Sequence, residues 1–483
     1  VDPMGLHFEE TTVPRIRKLP LAAAATALSC MMFTPLGSAQ TPAAPKLPDP
    51  KATTVDALGW MKGFPPAADK QITFDNPAGG VYPRTRWSYS HIRETVPTSN
   101  VWRGTGAPAV LPVALRNLDG LRFKSMGGEE MTFEQMLEGT YTDGILVMHK
   151  GQVVYERYFG ALTPERQHIG MSVTKSFVGT LAALLAHEGK IDPSALVTQY
   201  LPEMKDSAYA DATVRQVMDM TVGVRYSENY ADPKAEIWDY ARAGGMMPQG
   251  PGYTGPKTFY EFLTKLQKEG QHGQGFAYKT VNTEVLAWII RRVTGQSLAE
   301  VLSERIWRKL GAENDAYFMV DRIGTESGGA GLNTTLHDLA LFGEMMRNDG
   351  KFNGQQILPA AVVQDIRKGA DKAHFAKGGY PLLPGWSYHN MWWVTHNPNG
   401  AYMARGIHGQ NIYVDPKAEM VIVRYAAHPL ATNAANDPLT LPAYQAVANS
   451  LMTPSRTYTG EMLDGAPPQH FPGVYMAITL HTI

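Results

Sequence analysis

The chain has 483 residues and a single cysteine, Cys30. That residue sits in an apolar N-terminal stretch, so a chain cut after the stretch would carry no cysteine. Disulfides and thiol catalysis are then excluded. An excess of charge of either sign is also missing, with Lys and Arg numbering 44 against 45 Asp and Glu, for a net charge of −1. Without a basic excess or stripe, no nucleic acid and no anionic membrane surface is expected as a partner. No fixed-period repeat and no heptad run is present. Phosphate-cradling loops and dinucleotide fingerprints are absent, as is the Gly-x-Ser-x-Gly elbow of α/β-hydrolases. His187-Glu188 lacks the second histidine of a zinc-protease motif, and no His/Cys cluster has metal spacing. The sequence therefore predicts neither cofactor nor metal.

What is present suits a large, loop-rich enzyme. Hydrophobic residues make up 44% and charged residues 18%, with 46 Gly and 34 Pro. The length allows two lobes, since single cores stop growing near ~250–300 residues. Arg15, Arg17 and Lys18 precede an apolar run from Leu19 to Leu36, followed by the small residues Gly37-Ser38-Ala39. This pattern predicts a signal peptide over 1–39, a mature chain from Gln40 that is periplasmic or secreted, and no stable membrane anchor in that mature form. A membrane-spanning helix and lipidation at Cys30 stay open as alternatives, although Pro20 and Pro35 interrupt the run. Residues 40–128 read as a linker and an N-terminal extension with scattered aromatics. Residues 129–455 read as the catalytic domain, and 456–483 as a C-terminal tail.

Regular structure becomes legible at Gly144. Ile145 to Met148 and Val153 to Tyr155 are β-rich runs joined by His149-Lys150-Gly151-Gln152, a predicted hairpin. Ser172 to Glu188 has helical apolar spacing all round and Gly189 as a stop, so a buried helix is predicted. Residues from about 195 to 345 are mostly helical patterns. Asn411 to Val414 and Met420 to Tyr425 are predicted strands. A chain that begins and ends one sheet and inserts a helical lobe between leaves a cleft between the two.

Gly170-Met171-Ser172-Val173-Thr174-Lys175 contains the only Ser-x-x-Lys of the sequence. Residues three apart on a helix are neighbours, so both side chains share a face. The helix start supplies main-chain N–H groups and positive potential, which favour an oxyanion and a lysine of lowered pKa. A neutral lysine can take the serine proton. The plain alternative is an N-capping serine with an exposed lysine.

These residues, with four further blocks, resemble the β-lactamase-like serine hydrolases, and within them the 6-aminohexanoate-dimer hydrolases (nylon-oligomer hydrolases). The blocks are Val217-Met218-Asp219-Met220 with Tyr226 to Pro233; Phe276-Ala277-Tyr278 with Asn282 to Trp288; Gly328-Gly329 with Asp338-Leu339-Ala340; and Gly406-Ile407-His408-Gly409-Gln410-Asn411. The resemblance spans roughly 142–427. It implies a mixed α/β fold, an antiparallel sheet flanked by helices plus an inserted all-helical lobe, and is compatible with a homodimer.

The resemblance also implies roles. Ser172 forms an acyl-enzyme, Lys175 and Tyr278 share the proton relay, and the N–H groups of Ser172 and Ile407 form the oxyanion hole. Tyr230 lies on a loop over the site and bonds the amide nitrogen. His408 is expected to be structural. Three departures stand out. Tyr278-Lys279-Thr280 replaces the usual Tyr-x-Asn. No Lys-Thr-Gly triplet exists. Ala241 replaces the acidic residue that meets the substrate ammonium, with Asp239 and Glu236 nearby. The substrate is thus expected to be a small linear amide. A carboxylesterase of the family VIII type, or a penicillin-binding or sensor protein with slow deacylation, remains as an alternative.

Overall fold

The computed structural model describes residues 47–75 and 80–453. The expected signal peptide, Cys30, Gln40 and the tail lie outside the described residues.

The predicted hairpin forms from β1 (Thr142–His149) and β2 (Gln152–Tyr158). It turns at Lys150 (φ 53°) and Gly151 (φ 79°), the left-handed pair that matches the twist of the flanking strands. Five further strands complete the main sheet: β3 (Ser387–His389), β4 (Trp392–Val394), β5 (Tyr402–Gly406), β6 (Gln410–Asp415) and β7 (Met420–Ala426). Their order is β3-β4-β5-β6-β7-β1-β2, antiparallel throughout. The two ends of the domain therefore meet at the β7–β1 pair, where Val423 lies opposite Leu146.

Both β1 and β7 are buried at every position. That is why they read as continuous apolar runs rather than alternating ones. On one face, α3 (Leu336–Arg347) brings Gly343 against Ile412 and Val421. On the other, Tyr444 of α4 (Asp437–Met452) meets Tyr413 at 5.3 Å; Ile412 and Tyr413, being consecutive, point to opposite faces. The predicted buried helix is α1 (Val173–His187), with Gly189 at φ 72° just past its end. It packs against α2 (Val281–Thr294).

The span 195–345 is mostly helical, but the expectation of an all-helical insertion needs correction. It also holds the strands Ala316–Met319 and Leu332–Thr334. These form a second antiparallel sheet with Thr98–Val101 and His168–Ile169. The two strands pair with each other, but their outer partners, Thr98–Val101 and His168–Ile169, are far away in sequence, so nothing local marks those pairings. The sheet matters because Ser172 follows its last strand by three residues. The N-terminal extension is tied in by buried groups: Arg86 lies 3.5 Å from Asp143, which also meets His168 at 3.3 Å. Among the described residues no helix is long and apolar enough to cross a membrane.

Candidate active site

Ser172 is set by the chain on either side of it. Gly170 N donates to Leu332 O (2.8 Å), and Thr174 Oγ1 accepts from Leu332 N (3.0 Å). Between these anchors Met171 takes a left-handed φ of 47°, which costs a non-glycine residue on the order of 1–2 kcal/mol. The turn delivers Ser172 to the N-cap of α1, yet its hydroxyl makes no capping bond. Instead Ser172 Oγ accepts from Lys175 Nζ at 2.9 Å. Lys175 is 1% exposed and donates again to Gly329 O at 2.7 Å. The capping-serine, exposed-lysine alternative is thereby excluded.

A carboxylate fixes the second acceptor. Gly328 N and Gly329 N both donate to the buried Glu284 of α2, at 3.0 and 2.8 Å, and Tyr240 Oη donates to it at 2.6 Å. Burial pulls the Lys175 ammonium down to about 8, while Glu228 and Glu284 act the other way. A lysine so placed is readily neutral near its working pH, as a base must be. Burial lifts the Tyr278 hydroxyl well above its usual range, and the nearby Glu228 adds to this; a hydrogen bond with Ser172 opposes both. The Lys175 ammonium lies 5.2 Å from the Tyr278 ring centroid. Trp393 (5.3 Å) and Tyr388 (6.0 Å) brace the same ring.

Ser172, Tyr230, Tyr278 and Ile407 line one cavity of about 330 Å³, with Lys175 buried against Ser172. All five predicted site residues are thus brought together. Ser172 as N-cap has an N–H outside the helix ladder. The β5–β6 ladder ends at the Gly406–Gln410 pair, so Ile407 stands just past it. Gly406 is required here: a Cβ would meet Gly170 O at 2.6 Å. That close approach is what brings Ile407 beside the serine turn. Arg405 and Asp437 close the cavity as a buried ion pair.

Glu228 was missed as a functional candidate. It lines the cavity, accepts from Thr280 N and shares a hydrogen bond with Tyr230. Burial raises its pKa and the Lys175 charge opposes that rise. Thr280 thus contributes its main-chain N–H to Glu228. Lys279 turns away to Val224 O. The signal that could have found Glu228 is an acid two residues before Tyr230 in an aromatic loop. His408 Nδ1 donates to His428 O (2.7 Å), and burial lowers its pKa, which fits a structural role. Among the described residues no group of three or more His, Cys, Asp or Glu could hold a metal ion.

A helix-borne Ser-x-x-Lys under an antiparallel sheet, with a tyrosine across the cleft, defines a serine hydrolase of the β-lactamase type. The chain belongs to the Beta-lactamase family, which residues 131–443 match. It is 36% identical over 367 residues to the 6-aminohexanoate-dimer hydrolase of Paenarthrobacter ureafaciens, covering 76% of this chain and 91% of that one. A solved structure from Bacillus anthracis bearing the same name provisionally is 35% identical with a TM-score of 0.73, covering 80% of this chain and 98% of that one. EstCE1, a hydrolase with promiscuous acyltransferase activity, shares the fold alone, at 17% identity and a TM-score of 0.52 over 65% of this chain and 98% of that one. The protein is a hydrolase homologous to 6-aminohexanoate-dimer hydrolase.

Proposed function

We propose that the protein hydrolyses linear amides through an acyl-enzyme on Ser172. Neutral Lys175 takes the Ser172 proton as Oγ attacks the carbonyl carbon. The N–H groups of Ser172 and Ile407 hold the oxyanion. As the C–N bond breaks, Tyr278 gives its proton to the leaving nitrogen and is reprotonated by the Lys175 ammonium. Water then cleaves the acyl ester by the same relay run in reverse. The observation that carries this reading is Lys175 Nζ, held 2.9 Å from Ser172 Oγ in a buried site with its second proton on Gly329 O.

Tyr230 gives the reading its preference for amides. An amide nitrogen must be protonated before it departs, and an acceptor holding its N–H turns the lone pair toward the proton donor. The Tyr230 hydroxyl gives its own proton to Glu228 and faces the cavity, so its oxygen is the acceptor. An ester oxygen has no N–H for it to hold. Tyr230→Phe should lower hydrolysis of a linear amide by about ten- to hundredfold, the worth of one hydrogen bond made in the transition state. A p-nitrophenyl ester should be cleaved at nearly the parental rate. Equal losses on both would make Tyr230 a binding or folding residue, and no loss on either would favour a plain carboxylesterase.

A further inference from the structure

A second cavity, of about 280 Å³, shares Tyr230 and Ile407 with the first as walls. It also touches Met171, the neighbour of Ser172. Ile92 and Val96 of the N-terminal extension line it, together with Ala241, Met246 and Met319. No Asp, Glu, Lys or Arg is among its lining residues, and His408, its one titratable group besides tyrosines, is kept neutral by burial. The two acids nearest Ala241 in sequence are engaged elsewhere. Asp239 pairs with Arg242 at 2.6 Å, and Glu236 accepts from Ser227 N at 3.0 Å.

The chemistry assigns the two cavities different halves of a substrate. The leaving atom must reach Tyr278, which lines the first cavity and not the second. With the carbonyl carbon at Ser172 and its oxygen at Ile407 N–H, the acyl side then points past Tyr230 and Ile407 into the second cavity. We infer that this cavity is the acyl subsite, and that it takes an uncharged aliphatic chain whose far end carries no ammonium. This rests on the hydrolase reading above and adds the substrate class. A 6-aminohexanoyl chain ends in an amine that is charged at neutral pH. In this cavity that charge would lose its water without gaining a partner.

A series of p-nitrophenyl esters tests the assignment on the unaltered protein: acetyl, butanoyl, hexanoyl, octanoyl and 6-aminohexanoyl. From acetyl to hexanoyl, kcat/KM should rise by roughly fourfold per methylene, the worth of burying each one. Hexanoyl should exceed 6-aminohexanoyl by at least about a hundredfold. Ala241→Phe, which fills the cavity, should collapse the octanoyl-to-acetyl ratio. Val81→Trp does the same from an exposed position at the rim, where folding is not at risk. Ala241→Asp should narrow the gap between hexanoyl and 6-aminohexanoyl by tenfold or more. Failure to cleave any ester would remove the hydrolase reading. Normal acetyl turnover with a flat chain-length profile, with equal rates on hexanoyl and 6-aminohexanoyl, or with ratios unmoved by both filling variants would overturn the acyl-subsite assignment alone.

Discussion

In the proposed mechanism Ser172, Lys175 and Tyr278 act on one proton, so their contributions are not separable. Lys175 Nζ and the Tyr278 hydroxyl both meet Ser172 Oγ, and losing either breaks the same path. Lys175→Ala and Tyr278→Phe should each remove most of the rate, and the double variant should be little slower than the slower single. Additive losses on the logarithm of kcat would contradict a shared relay. Burial of Lys175 sets the pH at which the relay works, and Glu228 opposes it. Activity should rise with pH as Lys175 loses its proton near 8. The Glu228 carboxylate favours the ammonium, so Glu228→Gln should move this limb toward lower pH. A pH profile of kcat/KM reads the shift directly, and a limb that stays in place would show that Glu228 is not felt by Lys175. The serine and lysine were legible because a helix fixes the geometry of residues three apart. Glu228 was not, because its meeting with Thr280 N spans 52 residues and two loops.

At the scale of elements, the hairpin, α1 and the β6–β7 pair were readable from local pattern, since each carries its own apolar run and turn residues. The second sheet was not. Ala316–Met319 pairs with Thr98–Val101 more than two hundred positions away, and four apolar residues among helices look like helix. One helix residue marks how tightly the site is built. Gly179, mid-helix in α1, faces the β3–β4 turn, where an added Cβ would lie 2.1 Å from Asn390 O and 2.5 Å from Met391 Cβ. Helix propensity alone would favour alanine there by about 1 kcal/mol. The contact is with main chain and cannot yield, so Gly179→Ala should destabilise by about 1–3 kcal/mol. Denaturant unfolding measures this, and a gain in stability would mean that the turn moves aside freely.

For the molecule as a whole, the family motifs make the catalytic domain legible and leave the N-terminal extension opaque. The extension carries little periodicity because its order comes from the surface it lies on: Arg86 on Asp143, Tyr141 Oη on Pro48 O, and the 98–101 strand in the second sheet. It supplies part of the wall of the second cavity and so belongs to the substrate site. The proposed mechanism converges on one covalent event at Ser172. The most direct measurement is peptide mass spectrometry after quenching the protein with a slowly cleaved ester or a phosphonate. The mass of the acyl or phosphonyl group should appear on the peptide containing Ser172, and Ser172→Ala should abolish both the adduct and turnover. An adduct on another residue, or near-normal turnover by Ser172→Ala, would contradict the account.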